Sequence, residues 1–210
     1  MVPKPTPIYH ITAIDNVEAI LRDGGLYANS VMQANGLAYT NIAYDSIQDR
    51  RRKKRVPVKP FGTLHDYVPF YFAPRSPMLY TINQGNVPGY SGQKSIVHFV
   101  STIEAVDGLK PWVFTDGHGI MSYTSYYNDL NDLNEIDWDV MNSKIWNDTS
   151  EFPDRLRRRQ AEFLVYKFFP LNLIQGIGVF NSNIADKVRT IFSNECGYNI
   201  PIGVRSQWYY

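Results

Sequence analysis

The chain has 210 residues, a formal net charge of +1 and 44% hydrophobic residues, enough for one domain with a sizeable core and too apolar for a disordered segment. No apolar run approaches the ~20 residues that cross a bilayer, and residues 1–7 lack the apolar run of a signal peptide, so a soluble cytoplasmic protein is expected. A single cysteine, Cys196, excludes an internal disulfide framework and a cysteine-based metal site.

Pro3 to Pro7 is an extended lead-in, and Ile8 to Thr12 reads as a short strand. Asp15 and Glu18 have capping-box spacing ahead of a short helix on Val17, Ile20 and Leu21, which Gly24-Gly25 ends. Leu26 to Ala28 suits a second strand, and Asn29 to Tyr44 has no clear period beyond one helical turn. Ser46 to Lys59 is basic and is broken by Pro57 and Pro60. Val68 to Ala73 is strand-like, with Pro69 arguing for an edge or a bulge. Ser76-Pro77 caps a helix through Met78, Leu79 and Ile82 that stops at Gly85, and a turn-rich loop runs from there to Gly92.

Ser95 to Val100 is a strand, and Ser101 with Glu104 predicts a second capping box for a helix ending at Gly108. Trp112 to Thr115 is another strand. From Ile120 to Asp154 the chain is polar, acidic and aromatic, with short helices expected around Tyr126 to Leu133 and Trp138 to Ile145. Glu162 to Phe169 is a long apolar strand, followed by a strand at Ile177 to Phe180, a helix capped by Asn183, and a closing strand at Val204 to Tyr210. This order mixes strands with short helices, without the regular alternation of a doubly wound sheet. It predicts an α+β fold in one domain, with residues 120–154 as a loop or helical insertion. Neither GxGxxG nor GxxxxGK[ST] occurs.

Charge is segregated. Asp49 to Lys59 carries seven basic residues and one acidic one, whereas Asp129 to Asp154 carries eight acidic residues and one basic one. A polyanion would meet the first segment and avoid the second. Aromatic residues make up 14% of the chain, including 15 Tyr, which suits base stacking as well as packing. The histidines His10, His65, His98 and His118 lack metal-ligand spacing, so no metal is expected, and His98, alternating with apolar neighbours, reads as structural.

Four polar groups stand at strand ends or beside one: His10, Arg51, Tyr71 and Glu162. Arg157-Arg158-Arg159 runs straight into Gln160 and Glu162, which reads as a solvated basic turn with Glu162 paired to an arginine, or as a carboxylate placed to hold a reacting sugar. Spacing alone leaves both readings open.

The pieces YHIT at Tyr9 to Thr12, IQDRR at Ile47 to Arg51, HDYVPFYFAPRSPMLY at His65 to Tyr80 and QAEFLV at Gln160 to Val165 resemble the DarT family of DNA ADP-ribosyltransferase toxins. The C-terminal Trp208-Tyr209-Tyr210 is also similar to that family. The resemblance implies a compact ADP-ribosyltransferase fold with a split central sheet, short flanking helices and a cleft for NAD. It implies transfer of ADP-ribose from NAD, as co-substrate, to a thymine ring nitrogen in single-stranded DNA. It also implies a toxin–antitoxin pair with a DarG-like macrodomain partner and no membrane. By matching motif, Glu162 and Arg51 would be catalytic, and His10, Thr12, Tyr71 and Arg51 would bind NAD. His118 matches a histidine before the family's substrate loop, and the resemblance places residues 120–154 at that loop, on the substrate side. Arg50, Arg52, Lys53, Lys54, Arg75 and His118 are candidates for DNA. Two alternatives remain at this point: the same fold acting on guanine, RNA or protein, and a single-strand binding module without catalysis.

Overall fold

In a computed structural model, which describes residues 1–89, 92–109, 111–194 and 197–210, strands and short helices alternate irregularly. Tyr90 and Ser91 of the expected Gly85 to Gly92 loop, and Cys196, lie outside the described residues. In chain order the elements are β1 (Pro7–Ala13), α1 (Val17–Arg22), β2 (Gly25–Tyr27), α2 (Asn29–Ala34), α3 (Asp45–Lys53), β3 (Tyr67–Tyr71) and α4 (Pro77–Asn83). There follow β4 (Ile96–Thr102), α5 (Ile103–Val106), β5 (Trp112–Thr115), β6 (Tyr126–Tyr127), α6 (Trp138–Asn142) and α7 (Arg155–Arg158). The chain closes with β7 (Glu162–Tyr166), β8 (Phe168–Pro170), β9 (Gly176–Val179), α8 (Ser182–Asn194) and β10 (Ile202–Val204).

Eight strands form one sheet in the order β10-β9-β4-β1-β3-β7-β5-β6, and β2 pairs with β8 in a second, small sheet. Alternating apolar residues give the large sheet its core face: Phe70, Phe99, Phe114 and Phe163 are fully buried. Each such ring stabilises the fold by roughly 1.5–3 kcal/mol. The sheet is tightly laddered within each half and nearly open at its middle. β1 pairs with β4 over seven positions and β3 with β7 over five, but β1 meets β3 at one pair, Tyr9 with Tyr71. That opening between β1 and β3 is the split in the sheet.

Pro69 explains how the split is tolerated. It lies in a central strand, neither at an edge nor in a bulge as the proline suggested. It stands opposite Leu164 of β7, and its carbonyl turns toward β1, where His10 Nδ1 donates to it at 2.8 Å. In a strand the N–H and C=O of one residue face the same neighbour. The missing N–H of Pro69 therefore falls on the side where no ladder runs.

Several caps differ from expectation. Neither Asp15 nor Asn16 makes a side-chain cap for α1. Thr102 caps α5, one residue after Ser101, because the Ser101 hydroxyl donates to the Leu173 carbonyl and Glu104 takes the Thr6 N–H. Asn181 accepts from Ile184 N–H at 3.0 Å and caps α8 in place of Asn183. Ser76 accepts from Leu79 N–H as expected. Lys167 adopts φ +65° and breaks the expected Glu162 to Phe169 strand into β7 and β8. The expected helix at Tyr126 is a two-residue strand followed by a 3-10 turn over Leu130–Glu135, and Val204 to Tyr210 ends in a 3-10 turn over Ser206–Trp208. His98 is structural: it is buried, with Nε2 at the Pro74 carbonyl and Nδ1 at the Tyr209 hydroxyl. Among the described residues no helix is long and apolar enough to cross a membrane.

Candidate active site

The split opens into a cleft of about 430 Å³, lined by His10, Thr12, Arg51, Tyr71, His118 and Glu162 among others. Helical geometry brings Arg51 there. Adjacent residues on a helix point about 100° apart, and on α3 the residues Ile47, Gln48 and Arg51 face the cleft while Arg50 and Arg52 are exposed. Glu162 opens β7 directly opposite Tyr71, so both side chains share one face of the sheet. Its backbone N–H donates to Thr115 Oγ1 at 3.1 Å, which fixes the strand at that point.

Arg51 Nη1 donates to Glu162 Oε1 at 2.7 Å, and the two residues are only 8% and 3% exposed. This pair leaves two atoms unused. Arg51 Nη2 and Glu162 Oε2 are both buried and have no hydrogen-bond partner among the described residues. A buried charge-bearing atom without a partner costs about 1–3 kcal/mol or more, so its persistence points to a partner supplied from outside the chain.

The surroundings hold Arg51 charged and the imidazoles and phenols near it neutral. Burial opposes the Arg51 charge, but Glu162 outweighs it and pushes the guanidinium further up. Burial pushes the Tyr71 and Tyr126 hydroxyls above the ordinary phenol range, with the Glu162 charge adding to it. Burial lowers His10 to about 4, against the hydrogen bond to Pro69, and lowers His118 to about 4, against the pull of Glu162. Near neutral pH the cleft therefore sets neutral imidazoles and phenols around the Arg51 cation.

Two structures that sequence reasoning missed hold this arrangement. Asn16 is buried and fully used: its amide donates to Thr12 Oγ1 and to the Thr40 carbonyl, both at 2.9 Å, and accepts from Thr40 N–H at 2.7 Å. It thus pins the segment from Ala38 to Tyr44 over the cleft, beside β1. On the other side the loop after β5 is tied at nearly every residue. Thr115 Oγ1 donates to the Gly117 carbonyl, Thr124 Oγ1 to the His118 carbonyl, and the Tyr126 hydroxyl to the Gly119 carbonyl. Gly119 lies so near that a Cβ there would stand 3.0 Å from Glu162 Oε2. The loop contacts are local in sequence but follow no periodic pattern, and the Asn16 bonds to Thr40 span 24 residues, so neither carried a signal in the sequence.

Of the residues expected to act, His10, Thr12, Arg51, Tyr71, His118 and Glu162 come together in the cleft. Arg50, Arg52, Lys53, Lys54 and Arg75 do not line it. Lys54 Nζ donates to the Met121 carbonyl at 3.0 Å, and the Arg75 guanidinium lies 4.4 Å over the Tyr210 ring. The Arg157 to Arg159 run is no solvated turn. Arg157 binds Asp154 and Asp116, Arg158 binds Asp154 and Asp137, and Arg159 donates to the carbonyls of Val140, Met141, Ser143 and Arg75. The arginine that pairs with Glu162 is Arg51, more than a hundred residues away in sequence.

The family model described as "ssDNA thymidine ADP-ribosyltransferase, DarT" matches residues 9–210. A DNA ADP-ribosyl transferase from Thermus sp. (strain 2.9) is 44% identical over 211 residues, covering 99% of this chain and 98% of that protein. The structure of Thermus sp. 2.9 DarT in complex with ADP-ribosylated ssDNA superimposes with a TM-score of 0.93 at 43% identity, covering 100% and 99% of the two chains. The same protein in complex with NAD+ gives 0.86 at 40% identity over the whole of both chains. A DNA ADP-ribosyl transferase–DNA ADP-ribosyl glycohydrolase fusion protein from Thermosipho africanus is 28% identical, covering 96% of this chain and 49% of that protein. Fold and cleft together define an ADP-ribosyltransferase: a split sheet with a buried glutamate and arginine facing the opening. Within that class, the chain belongs to the DarT family of enzymes that ADP-ribosylate thymidine in single-stranded DNA.

Proposed function

We propose that Glu162 and Arg51 carry the family reaction in this chain, moving ADP-ribose from NAD+ to a thymidine base of single-stranded DNA and releasing nicotinamide. The observation that carries this reading is the buried Arg51–Glu162 pair with one free atom on each side, Nη2 and Oε2, in the cleft at the split.

Breaking the bond between nicotinamide and the ribose leaves the bonding electrons on nicotinamide and develops positive charge on the sugar. Glu162 Oε2 can accept from a ribose hydroxyl beside that charge, an interaction stronger in the transition state than in the ground state. The thymine ring nitrogen must lose its proton as it forms the new bond to the sugar carbon. Glu162 is the carboxylate in reach to take that proton. Arg51 Nη2 can stabilise the resulting anion through a charge-assisted hydrogen bond, while Nη1 keeps Glu162 aimed. Thr12 and the neutral His10 suit the nicotinamide ribose and amide, and Tyr71 suits stacking on the nicotinamide. The cleft fits the nucleotide on the chemistry of its lining: an unpaired guanidinium nitrogen to donate and an unpaired carboxylate oxygen to accept, with hydroxyls and imidazoles around them.

His118, in the loop beside Glu162, faces the target base in this reading. Arg50, Arg52, Lys53, Lys54 and Arg75 contribute to the electrostatic attraction of the strand and not to the choice of base. The chain acts as one domain in the cytoplasm, where DNA and NAD+ are both present, and its antagonist is a DarG-like macrodomain that removes the modification. The glycohydrolase half in the name of the Thermosipho africanus fusion protein supports that pairing.

The test is incubation with NAD+ and oligonucleotides that differ in a single base, followed by mass spectrometry. One added ADP-ribose on thymidine-containing strands alone is the expected result. Transfer to guanine, RNA or protein at comparable rates would contradict the acceptor, and absence of nicotinamide release would leave only a binding module.

A further inference from the structure

Outside the cleft, the turn that follows α3 combines charge and an exposed ring in a way the reaction does not use. Arg55 pairs with Thr63 in an isolated antiparallel bridge, closing a tight loop. Val56 N–H donates to the Gly62 carbonyl at 3.0 Å and Leu64 N–H to the Lys54 carbonyl at 3.0 Å. At the tip, Phe61 is held at φ +67° by its N–H to the Val58 carbonyl at 2.7 Å and by the Tyr67 hydroxyl on its own carbonyl at 2.6 Å. A bulky residue rarely adopts this left-handed conformation. The Phe61 ring is nevertheless 51% exposed. The loop therefore fixes the backbone beneath an exposed aromatic side chain, at a position that glycine would fill more easily.

Cations surround that ring. Arg52, Lys53, Arg55, Pro57 and Phe61 line a hollow of roughly 740 Å³. Arg52 faces Asp49 at 3.5 Å, while among the described residues Lys53, Arg55 and Lys59 enter no ion pair. Asp66, beneath the loop, is occupied by Lys167 and by the Thr63 N–H. An exposed aromatic ring on a fixed backbone, beside cations without ion-pair partners, is the combination that binds single-stranded nucleic acid, with bases stacking on the ring and phosphates meeting the cations.

The surface also adjoins the active site. α3 directs Arg51 to Glu162 and the next residues, Arg52 and Lys53, to the hollow. Lys54 Nζ joins the same turn to Met121, in the loop that carries His118. The cleft and the hollow are thus linked through α3 and through the loop that carries His118.

We propose that this surface is a second contact for the DNA strand, in which Phe61 stacks on a base flanking the modified thymidine and Arg55 and Lys59 hold its phosphates. The inference rests on the single-stranded DNA reading of the cleft. Charge selects a polyanion, and the exposed ring selects one with unpaired bases.

The experiment compares initial transfer rates, at low DNA concentration, on a short oligonucleotide holding only the target thymidine and its nearest neighbours and on the same core extended by about 10 nucleotides each way, a span comparable with single-strand site sizes. The wild type should favour the longer strand by about tenfold, one stacked base and its phosphates being worth at least that much. Phe61→Ala, and separately the double variant Arg55→Glu with Lys59→Glu, should lose most of that gain while the rate on the short strand stays unchanged. Phe61→Trp should keep it. An equal length preference in Phe61→Ala and wild type would overturn the proposal, and so would an equal loss on both strands or no length preference in the wild type. A wild type that modifies neither strand would instead overturn the DNA reading on which the proposal rests.

Discussion

The chain carries two arginine triplets of the same composition, Arg50-Arg51-Arg52 on α3 and Arg157-Arg158-Arg159 around α7, and they do opposite things. In the first, the middle residue is buried against Glu162 and keeps a free guanidinium nitrogen, while its neighbours stand in solvent. In the second, the outer two are buried, 9% and 3% exposed, and are bound on several sides by the protein itself. What separates structure from chemistry here is neither burial nor charge. It is whether the protein satisfies the hydrogen-bonding capacity of the buried group. Every guanidinium nitrogen of Arg159 already donates to a backbone carbonyl, whereas Arg51 Nη2 has no partner among the described residues.

The comparison predicts that the two triplets fail differently. The largest effect on stability should come from Arg159→Met. It removes the guanidinium that four backbone carbonyls share, those of Val140, Met141, Ser143 and Arg75, and should cost about 3 kcal/mol or more, read as a drop in denaturant midpoint. Arg157→Ala should cost less, about 2–3 kcal/mol, because Asp154 and Asp116 are partly in contact with solvent. Arg51→Lys should shift stability by under ~1 kcal/mol but slow transfer about 100-fold, since lysine cannot bridge Glu162 and an anion with one planar group. If Arg51→Lys mainly unfolds the protein, or if folded Arg159→Met mainly loses rate, the distinction collapses.

Gly117 sharpens the same contrast. A Cβ there would lie 2.3 Å from Arg157 Nη1. Gly117→Ala should therefore displace the loop that carries His118 and reduce transfer several-fold, with a smaller loss of stability than Arg157→Ala. Unaltered kinetics would mean that the loop's placement is irrelevant to the reaction.

Acid separates the groups again. His10, His98 and His118 are all lowered to about 4 from the ordinary 6.5, with burial as the first cause. The unfolded chain binds those protons first, so stability should fall as pH drops from about 6.5 to 4 and be restored as pH rises. Asp154, lowered chiefly by its hydrogen bond to Arg157, and Asp66, lowered to about 2 by Lys167 and Thr63 against burial, should give a further loss at lower pH, below the ordinary carboxylate range. A stability profile flat between pH 6.5 and 4 would contradict the burial of the histidines. The smallest effects are expected at Arg50→Lys and Arg52→Lys, within about 0.5 kcal/mol in stability and with little change in rate.

Much of the site was legible in the sequence. Arg51 could be singled out from its identical neighbours by helical geometry once its motif was matched, and Tyr71 and Glu162 stand at strand ends as expected, whereas His10, expected at the end of the first strand, lies at the middle of β1. Arg157 to Arg159 was less legible. A run of arginines resembles a solvated face, and the carbonyls of Val140, Met141 and Ser143 that bury Arg159 carry no signal of their own in sequence. Asn16 was hidden for the same reason: its partners, Thr12 and Thr40, are set by the tertiary fold. Pro69 was misread because a proline in a strand suggests an edge. The sheet supplies an equivalent of an edge at its centre, where His10 takes the place of the missing ladder.

The central claim is that Glu162 performs chemistry and does not merely neutralise Arg51. Glu162→Gln keeps the shape and a hydrogen bond to Arg51 but removes the charge and the base. The direct measurement is NAD+ affinity by calorimetry alongside initial-rate transfer to a thymidine oligonucleotide, with folding checked by thermal melting. The expected result is affinity within several-fold of wild type and transfer reduced by at least about 100-fold, corresponding to about 2.7 kcal/mol or more of lost transition-state stabilisation. A folded Glu162→Gln protein that transfers ADP-ribose at near wild-type rates would contradict the account.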